Sequence, residues 1–498
     1  MVLPQSTTQI PSPFLRERGI KRITPQLAAR SIHSMNRERS LKVGIISLGC
    51  PRTLVDSEVM LGQLAKAGYG MAKRTEDSDV LVINTCSFIE DAKRESVDTI
   101  LQAIALKKEG KVQAVIVAGC LAQRYQKELL EELPEVDYFL GTGDCEEIVT
   151  AVKRGLGGKR GVSVGIPNYL YNHITPRLLL TPQHFAYVKI SEGCEHRCTF
   201  CVIPQMKGPH RSRDIQSVVE EVKQLTGREV KEINLVSQDS SSYGRDRYGE
   251  IRLPELLHHL CEETPVQWLR LLYTYPSNIS DELLSVMARH PQICKYMDLP
   301  LQHINDRILK SMARDQVTRQ GIEELLKKIR KQIPGVTIRT AFIVGYPGET
   351  EEEFGELMDF IRETQFDRMG AFIYSQEEGS RAAKFPAQIP DSVKKERFER
   401  LMSLQQEVAS QVNARLLHET VTVLIDEPLQ GEEGIYLGRT QADAPEVDGQ
   451  VYVKSSSQGS VVSRRSSVVG GQSLKIGDFV RVRITDTFEY DLVGEVCE

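Results

Sequence analysis

Three times between residues 43 and 120 a short aliphatic run ends within a few positions in a cysteine. Val43-Gly-Ile-Ile-Ser-Leu48 precedes Cys50, Val80-Leu-Val-Ile83 precedes Cys86, and Val112-Gln-Ala-Val-Ile-Val117 precedes Cys120. Amphipathic segments follow, such as 57–66 and 96–107. An apolar run followed by an amphipathic helix is a βα unit, and successive βα units build a parallel sheet whose strands end at one common edge. The cysteine spacings, 36 and 34 residues, are each about one such unit. Three soft thiolate ligands on one edge suit an iron–sulfur cluster with one iron left open. Buried strand-end thiols without metal are the plainer alternative. Cys145, in Gly141-Thr-Gly-Asp-Cys145, follows another apolar run and is expected to be a bystander rather than a further ligand.

A second thiol set is local. Gly193-Cys-Glu-His-Arg-Cys-Thr-Phe-Cys201 places Cys194, Cys198 and Cys201 on one loop after an apolar stretch beginning at Phe185. Three thiolates at this spacing can reach three irons of one cubane, again leaving the fourth iron open. A zinc site needs a closed four-ligand shell, and no second cysteine pair lies nearby to complete one. The pattern resembles the signature of the radical S-adenosylmethionine (SAM) enzymes. The resemblance implies that the open iron chelates the amino and carboxylate groups of SAM.

At 498 residues the chain exceeds one ordinary core. No apolar run is long enough to cross a membrane. Ten cysteines in so long a chain are not a disulfide scaffold and point to thiolate ligands in a reducing compartment. The net charge of −5 offers no global field for a polyanion.

Residues 1–40 carry seven Lys/Arg against two Glu without apolar periodicity and read as a disordered extension. The Arg-rich composition also permits organelle targeting, less favoured than a cytoplasmic location. Residues 41–155 hold the strand-end cysteines, and 156–182 read as a linker. Residues 183–390 carry six candidate strands (186–190, 232–236, 267–272, 295–299, 336–344 and 368–373) with helical patterns between them, an incomplete barrel. Its expected active face comprises the cysteine loop and the strand-end loops 237–244, 273–276, 300–303, 345–350 and 375–379. Gln302, Arg339 and Ser375 are the candidate SAM contacts by strand-end position. The loop at 345–350 has a plainer role, since Thr350 with Glu353 forms a capping box, and His303 has one as a packing residue.

A connecting helix over 391–418 stripes Phe398, Leu401, Leu404, Val408, Val412 and Leu416 along one face. Residues 420–498 read as five short strands, a small antiparallel β-barrel with a flexible insertion at 455–473. Seven Lys/Arg against thirteen Asp/Glu make this barrel acidic, a poor phosphate binder suited to a basic protein surface. The expected class is therefore α/β multidomain: an open, flavodoxin-like cluster domain, an incomplete (β/α)6 barrel and a small β-barrel.

The whole of 41–498 resembles the radical SAM methylthiotransferases. The resemblance rests on Ser47-Leu-Gly-Cys-Pro51, Leu54-Val-Asp-Ser-Glu58, Asn84-Thr-Cys-Ser-Phe-Ile-Glu-Asp91, Ala118-Gly-Cys-Leu-Ala-Gln123, Cys201-Val-Ile-Pro-Gln-Met206, Gly208-Pro-His-Arg-Ser-Arg213 and Asp443-Ala-Pro-Glu-Val-Asp448. Within that family it is most similar to the members that act on an aspartate of small-subunit ribosomal protein S-twelve. The resemblance implies an auxiliary 4Fe–4S cluster on Cys50, Cys86 and Cys120, and a SAM-bound 4Fe–4S cluster on Cys194, Cys198 and Cys201. It also implies a final barrel of the TRAM type that binds the protein substrate, one SAM spent as methyl donor and one as radical source, and methylthiolation of the aspartate β-carbon. The implied partners are the ribosomal protein and a low-potential donor such as flavodoxin or ferredoxin, with no membrane and with nucleic acid met only through the ribosome. A tRNA adenosine methylthiotransferase is the nearest alternative and a non-catalytic electron-transfer protein a distant one.

Overall fold

The computed structural model describes residues 41–455 and 474–497. The extension 1–40 and nearly all of the 455–473 insertion lie outside the described residues.

The first unit is a six-stranded, all-parallel sheet. Its strands are β1 (Lys42–Ser47), β2 (Gly70–Met71), β3 (Val80–Thr85), β4 (Ala114–Gly119), β5 (Tyr138–Leu140) and β6 (Gly161–Ser163), in the order β2-β1-β3-β4-β5-β6. Alternate strand residues serve opposite faces. Val80 and Val82 join one core with Ala114 and Ile116, while Leu81 and Ile83 join another with Val115 and Val117. A sheet buried on both faces explains why these strands read as continuous aliphatic runs. Helix α1 (Pro51–Lys66) follows β1 and α2 (Glu90–Lys108) follows β3.

Strand β6 corrects the expected linker, whose first residues extend the sheet. The rest of that segment is a packed strap. Arg177 donates from Nε to Glu58 Oε2 (2.8 Å) and from Nη1 to Glu221 Oε1 (2.7 Å), tying α1 to the next unit. A pair of buried carboxylates needs such a cation, and a run without apolar periodicity conceals it.

The central unit begins with β7 (Phe185–Lys189), after which the short β8 (Ser191–Glu192) and β9 (Arg211–Ser212) pair antiparallel and close the base of the cysteine loop. Then come β10 (Glu232–Val236), β11 (Trp268–Leu271), β12 (Tyr296–Asp298), β13 (Thr337–Val344) and β14 (Arg368–Ile373). They form two parallel triplets, β11-β10-β7 and β12-β13-β14, joined where Leu269 bridges Ile293. One large core lies between these strands and the surrounding helices. The connecting helix, Asp391–Ala414, buries Leu401, Leu404, Val408 and Val412 against it.

The last unit is a closed barrel of β15 (Thr420–Pro428), β16 (Ile435–Arg439), β17 (Val451–Lys454), β18 (Phe479–Thr487) and β19 (Leu492–Val496), in the order β15-β16-β17-β19-β18. It departs from the antiparallel expectation at one seam, where β17 and β19 run parallel. Direction cannot alternate around a closed ring of five, so one parallel pair is unavoidable. All three units meet in one apolar cluster that includes Val55 of α1, Tyr187 and Trp268 of the central strands, and Leu424 and Ala444 of the barrel unit.

Candidate active site

Strand register brings the first cysteine set together. Ser47 pairs with Asn84, and Thr85 with Gly119, so β1, β3 and β4 end level. Cys86 and Cys120 are the next residues after β3 and β4, and Cys50 is the N-cap of α1. Buried side chains lock the three turns. Asn84 Nδ2 donates to Thr53 O (3.0 Å) and Ser57 Oγ (2.9 Å), Thr85 Oγ1 donates to Ala118 O (2.6 Å), and Ser96 Oγ donates to Cys86 O (2.8 Å). Gly49 has φ +94°, and a Cβ there would meet Cys86 Cβ at 2.8 Å. The Cys50 and Cys86 turns approach that closely.

The second set sits on the loop stapled by β8 and β9. Gly193, at φ +86°, lies against the Pro209 carbonyl oxygen, 2.0 Å from where its Cβ would stand. Gln238 holds the loop from the next strand end. Its Oε1 accepts from Gly193 N (2.8 Å), while its Nε2 donates to Glu192 Oε1 (2.5 Å).

All six cysteines line one open cavity of about 2120 Å³. The first set also packs against the segment that follows the second, since Cys120 shares an apolar cluster with Val202 and Met206, just after Cys201. A largely buried square of charge joins α1 to the residues that flank the cysteine loop. Lys189 pairs with Asp56 of α1 and with Glu192 Oε2 (2.5 Å), while Lys207 Nζ stands 3.3 Å from Asp56 Oδ2 and 3.5 Å from Glu192 Oε1. Burial opposes the Glu192 charge, but the two lysines and Gln238 overcome it and hold its carboxyl well below the usual range.

The donor chemistry fits two iron–sulfur clusters. Among the described residues, the only group of three or more His, Cys, Asp or Glu whose ligand atoms all lie within 4.8 Å of one another is His258, Glu262 and His290, none of which lines the cavity. Neither cysteine triad is drawn in to the spacing of a single ion, whereas thiolates on separate irons of a cubane stand further apart. Burial, reinforced by the neighbouring cysteines, pushes the Cys86 thiol up to about 12, and burial pushes Cys194 and Cys201 to about 12. Cys50 lies at about 7, because Arg52, hydrogen bonds at Thr53 and Lys207 outweigh burial. Metal coordination deprotonates such thiols outright. Cys145 does not line the cavity; its thiol faces Thr142 O at 4.0 Å among apolar neighbours.

Three of the five expected strand-end loops reach the cavity: Gln238, Asp239, Tyr273, Thr274, Tyr275, Pro300 and Gln302 are in its wall. Gln302 and Tyr273 both hold left-handed backbones, with φ 73° and 61°. Such strain in non-glycine residues concentrates at functional sites. Arg339 also lines the cavity, yet it is engaged, donating from Nη1 to Asp298 Oδ1 (2.8 Å) and pairing with Asp448 of the barrel unit at 3.3 Å. Ser375 lies outside the lining and donates to Glu377 Oε1 (2.6 Å). Its loop is committed to the first unit, since Glu377 pairs with Arg124 (3.0 Å) and Lys93 (3.3 Å). The loop at 345–350 is likewise absent from the wall. Thr350 and Glu353 form the expected capping box, and Glu349 accepts from Arg397 and pairs with His303.

Sequence reasoning missed several wall residues. His196 stacks on Tyr275 at 3.8 Å and bonds Asp239 Oδ2 at 2.7 Å, and Arg314 covers the same tyrosine ring at 4.2 Å. Arg52 donates to Ser237 O (2.6 Å) and lies 4.5 Å over the Tyr273 ring. His196 and Arg52 stand beside cysteines, which was the available signal, but their partners lie tens or hundreds of residues away. The Asp443-to-Asp448 motif also has a structural use. Arg368 donates to Asp443 Oδ1 (2.7 Å) and Tyr296 donates to Asp448 Oδ2 (2.6 Å), clamping the barrel onto the central strands.

Residues 42–141 match the uncharacterized protein family UPF0004, 188–361 the radical SAM superfamily and 419–497 the TRAM domain. The radical SAM methyltransferase TsrM from Kitasatospora setae, solved with tryptophan substrate and a SAM analogue, has a TM-score of 0.50 at 15% identity, covering 66% of this chain and 72% of that one, which shows a shared fold. The chain is 48% identical to the ribosomal protein uS12 methylthiotransferase RimO of Desulforamulus reducens over 92% of this chain and 99% of that one. It is 47% identical to that of Pelotomaculum thermopropionicum (91% and 99%) and 43% identical to that of Geobacter sulfurreducens (91% and 98%). The chain belongs to the RimO family of ribosomal protein uS12 methylthiotransferases.

Proposed function

We propose that this enzyme adds a methylthio group to the β-carbon of an aspartate in ribosomal protein uS12. The observation that carries the reading is the meeting of two cysteine triads in one cavity, six thiols that neither a single ion nor a disulfide accounts for. Cys194, Cys198 and Cys201 would hold the SAM-binding 4Fe–4S cluster, and Cys50, Cys86 and Cys120 the auxiliary one. When bound, these groups supply a 5'-deoxyadenosyl radical for hydrogen abstraction and the sulfur that replaces the hydrogen, with one SAM providing the methyl group and another the radical.

The chain's own residues supply placement. The β8–β9 staple, Gly193 and Gln238 fix the loop triad, and the level ends of β1, β3 and β4 fix the other. Lys189, Lys207, Asp56 and Glu192 couple the two supports, so the reacting carbon meets both sites at a set separation. The acidic barrel favours a basic protein substrate over RNA. A low-potential donor such as flavodoxin or ferredoxin delivers the electrons, and the cytoplasm, whose thiols stay reduced, is the compartment.

The test is anaerobic incubation of the reconstituted enzyme with reductant, SAM and either uS12 or tRNA, followed by mass measurement of both. A methylthio gain on uS12 is expected. A gain confined to the RNA overturns the substrate assignment.

A further inference from the structure

The charges inside the cavity are mostly paired: Asp239 with His196, Arg339 with Asp298 and Asp448, Asp426 with Arg439, and Arg368 with Asp443. The exposed part of its lining carries an excess of carboxylates. Asp91 and Asp98 on α2, Glu399 on the connecting helix, and Glu427, Glu446 and Glu489 of the barrel are all exposed lining residues. Against these six carboxylates the only exposed Lys or Arg in the lining, among the described residues, is Arg94, which faces Asp91 at 3.9 Å. Two phenylalanines break into this ring. Phe88 and Phe372 are 41% and 42% exposed, and both line the cavity. Arg124 ties their two segments together, donating to Ser87 O beside Phe88 (2.8 Å) and to Glu377 Oε2 (3.0 Å) and Glu378 O (2.5 Å) just beyond β14. Arg124 thereby docks the first unit onto the central one beside the opening that the two exposed phenylalanines flank.

We propose that Phe88 and Phe372 form an apolar lip, and the six carboxylates a rim, that together grip a basic polypeptide segment entering the cavity. The recognition surface is therefore spread over all three units, with α2 as much a part of it as the barrel. Aromatic anchors supply contact area at small entropic cost, and rim charges steer a cationic partner while repelling a polyanion. Glu446 reaches the rim from a left-handed backbone, φ 65°, between the two aspartates that clamp its loop.

This inference rests on the proposed function, and steady-state kinetics with uS12 separate the two. Asp91→Asn/Asp98→Asn should raise KM about five- to tenfold with kcat little changed, and should flatten the dependence of KM on salt. Phe88→Ala should raise KM about tenfold with the salt dependence intact. Glu128→Gln, an exposed acid outside the cavity, is the control and should alter neither constant. Wild-type KM and salt dependence in the α2 double variant, or a fall confined to kcat, overturns the lip and rim while leaving the reaction standing. A wild-type enzyme that modifies only RNA overturns the proposed function itself.

Discussion

The two cysteine triads reach one cavity by opposite routes. Cys194, Cys198 and Cys201 are neighbours in the chain, on a loop closed by two strand residues on each side. Cys50, Cys86 and Cys120 are neighbours only because three parallel strands end level. A loop site needs a local staple, whereas a strand-end site needs a folded sheet. The first should therefore fail through loss of a ligand or its turn, and the second through any change that shifts register or docking.

The largest effects come from the ligands. Cys198→Ser should abolish 5'-deoxyadenosine formation together with product, whereas Cys86→Ser should abolish the methylthio product while SAM cleavage stays measurable. Each should lose about half of the roughly eight irons of two cubanes. Equal loss of SAM cleavage in both variants would break the distinction; liquid chromatography with mass detection and iron analysis decide it.

Next is the charge square that joins the two supports. Lys189→Met leaves the partly exposed Asp56 and the buried Glu192 with only Lys207 between them and should cost about 3 kcal/mol, read by denaturant unfolding of the metal-free protein. Substitution without loss of stability would show that the two sites stand independently.

Glycine turns separate the sites more finely. Gly193→Ala meets both a left-handed backbone and the Pro209 carbonyl, and should cost about 1–3 kcal/mol and loosen the loop triad. Gly49→Ala, crowding Cys86 Cβ instead, should lower iron occupancy at the strand-end triad alone. Iron content and electron paramagnetic resonance of each variant report which cluster is lost.

The smallest effect is on pH dependence. Glu192 and Glu221 both have carboxyls held below the ordinary value: burial works against their charge, and Lys189 in one case and Arg213 in the other outweigh it. A depressed folded-state pKa contributes stability that is present above the unfolded value and lost as pH falls through the folded one. Unfolding free energy of the metal-free protein should thus gain no slope from these groups between about pH 6 and 8, and should decline below about pH 4. A fall beginning near neutrality would show that other titrating groups dominate the acid loss of stability.

Much of this architecture was legible in the chain. Aliphatic runs at βα spacing announced the parallel sheet and the incomplete barrel, because strands buried on both faces are mostly apolar. The turns locked by Asn84, Thr85 and Ser96 were not legible, since their hydrogen bonds are made to backbone groups brought near only by the sheet. Nor was the fate of Ser375: position after a strand placed it at the active face, but Arg124 and Lys93 claim its loop for docking the first unit. Arg339 kept its place in the cavity wall and acquired two aspartate partners that spacing could not reveal.

The acidic count of the last unit shows the same division. Composition told its sign, and the structure divided the charges. Asp426, Asp443 and Asp448 neutralise arginines of their own chain, while Glu427, Glu446 and Glu489 remain exposed on the rim. The sequence by itself determined the ligand types, the βα periodicity and the loop triad, all of which depend on residues close in the chain. Only the tertiary structure decided which thiols share a cavity, which charges are spent internally and which side chains face a partner, because each depends on groups that meet only after the strands have paired.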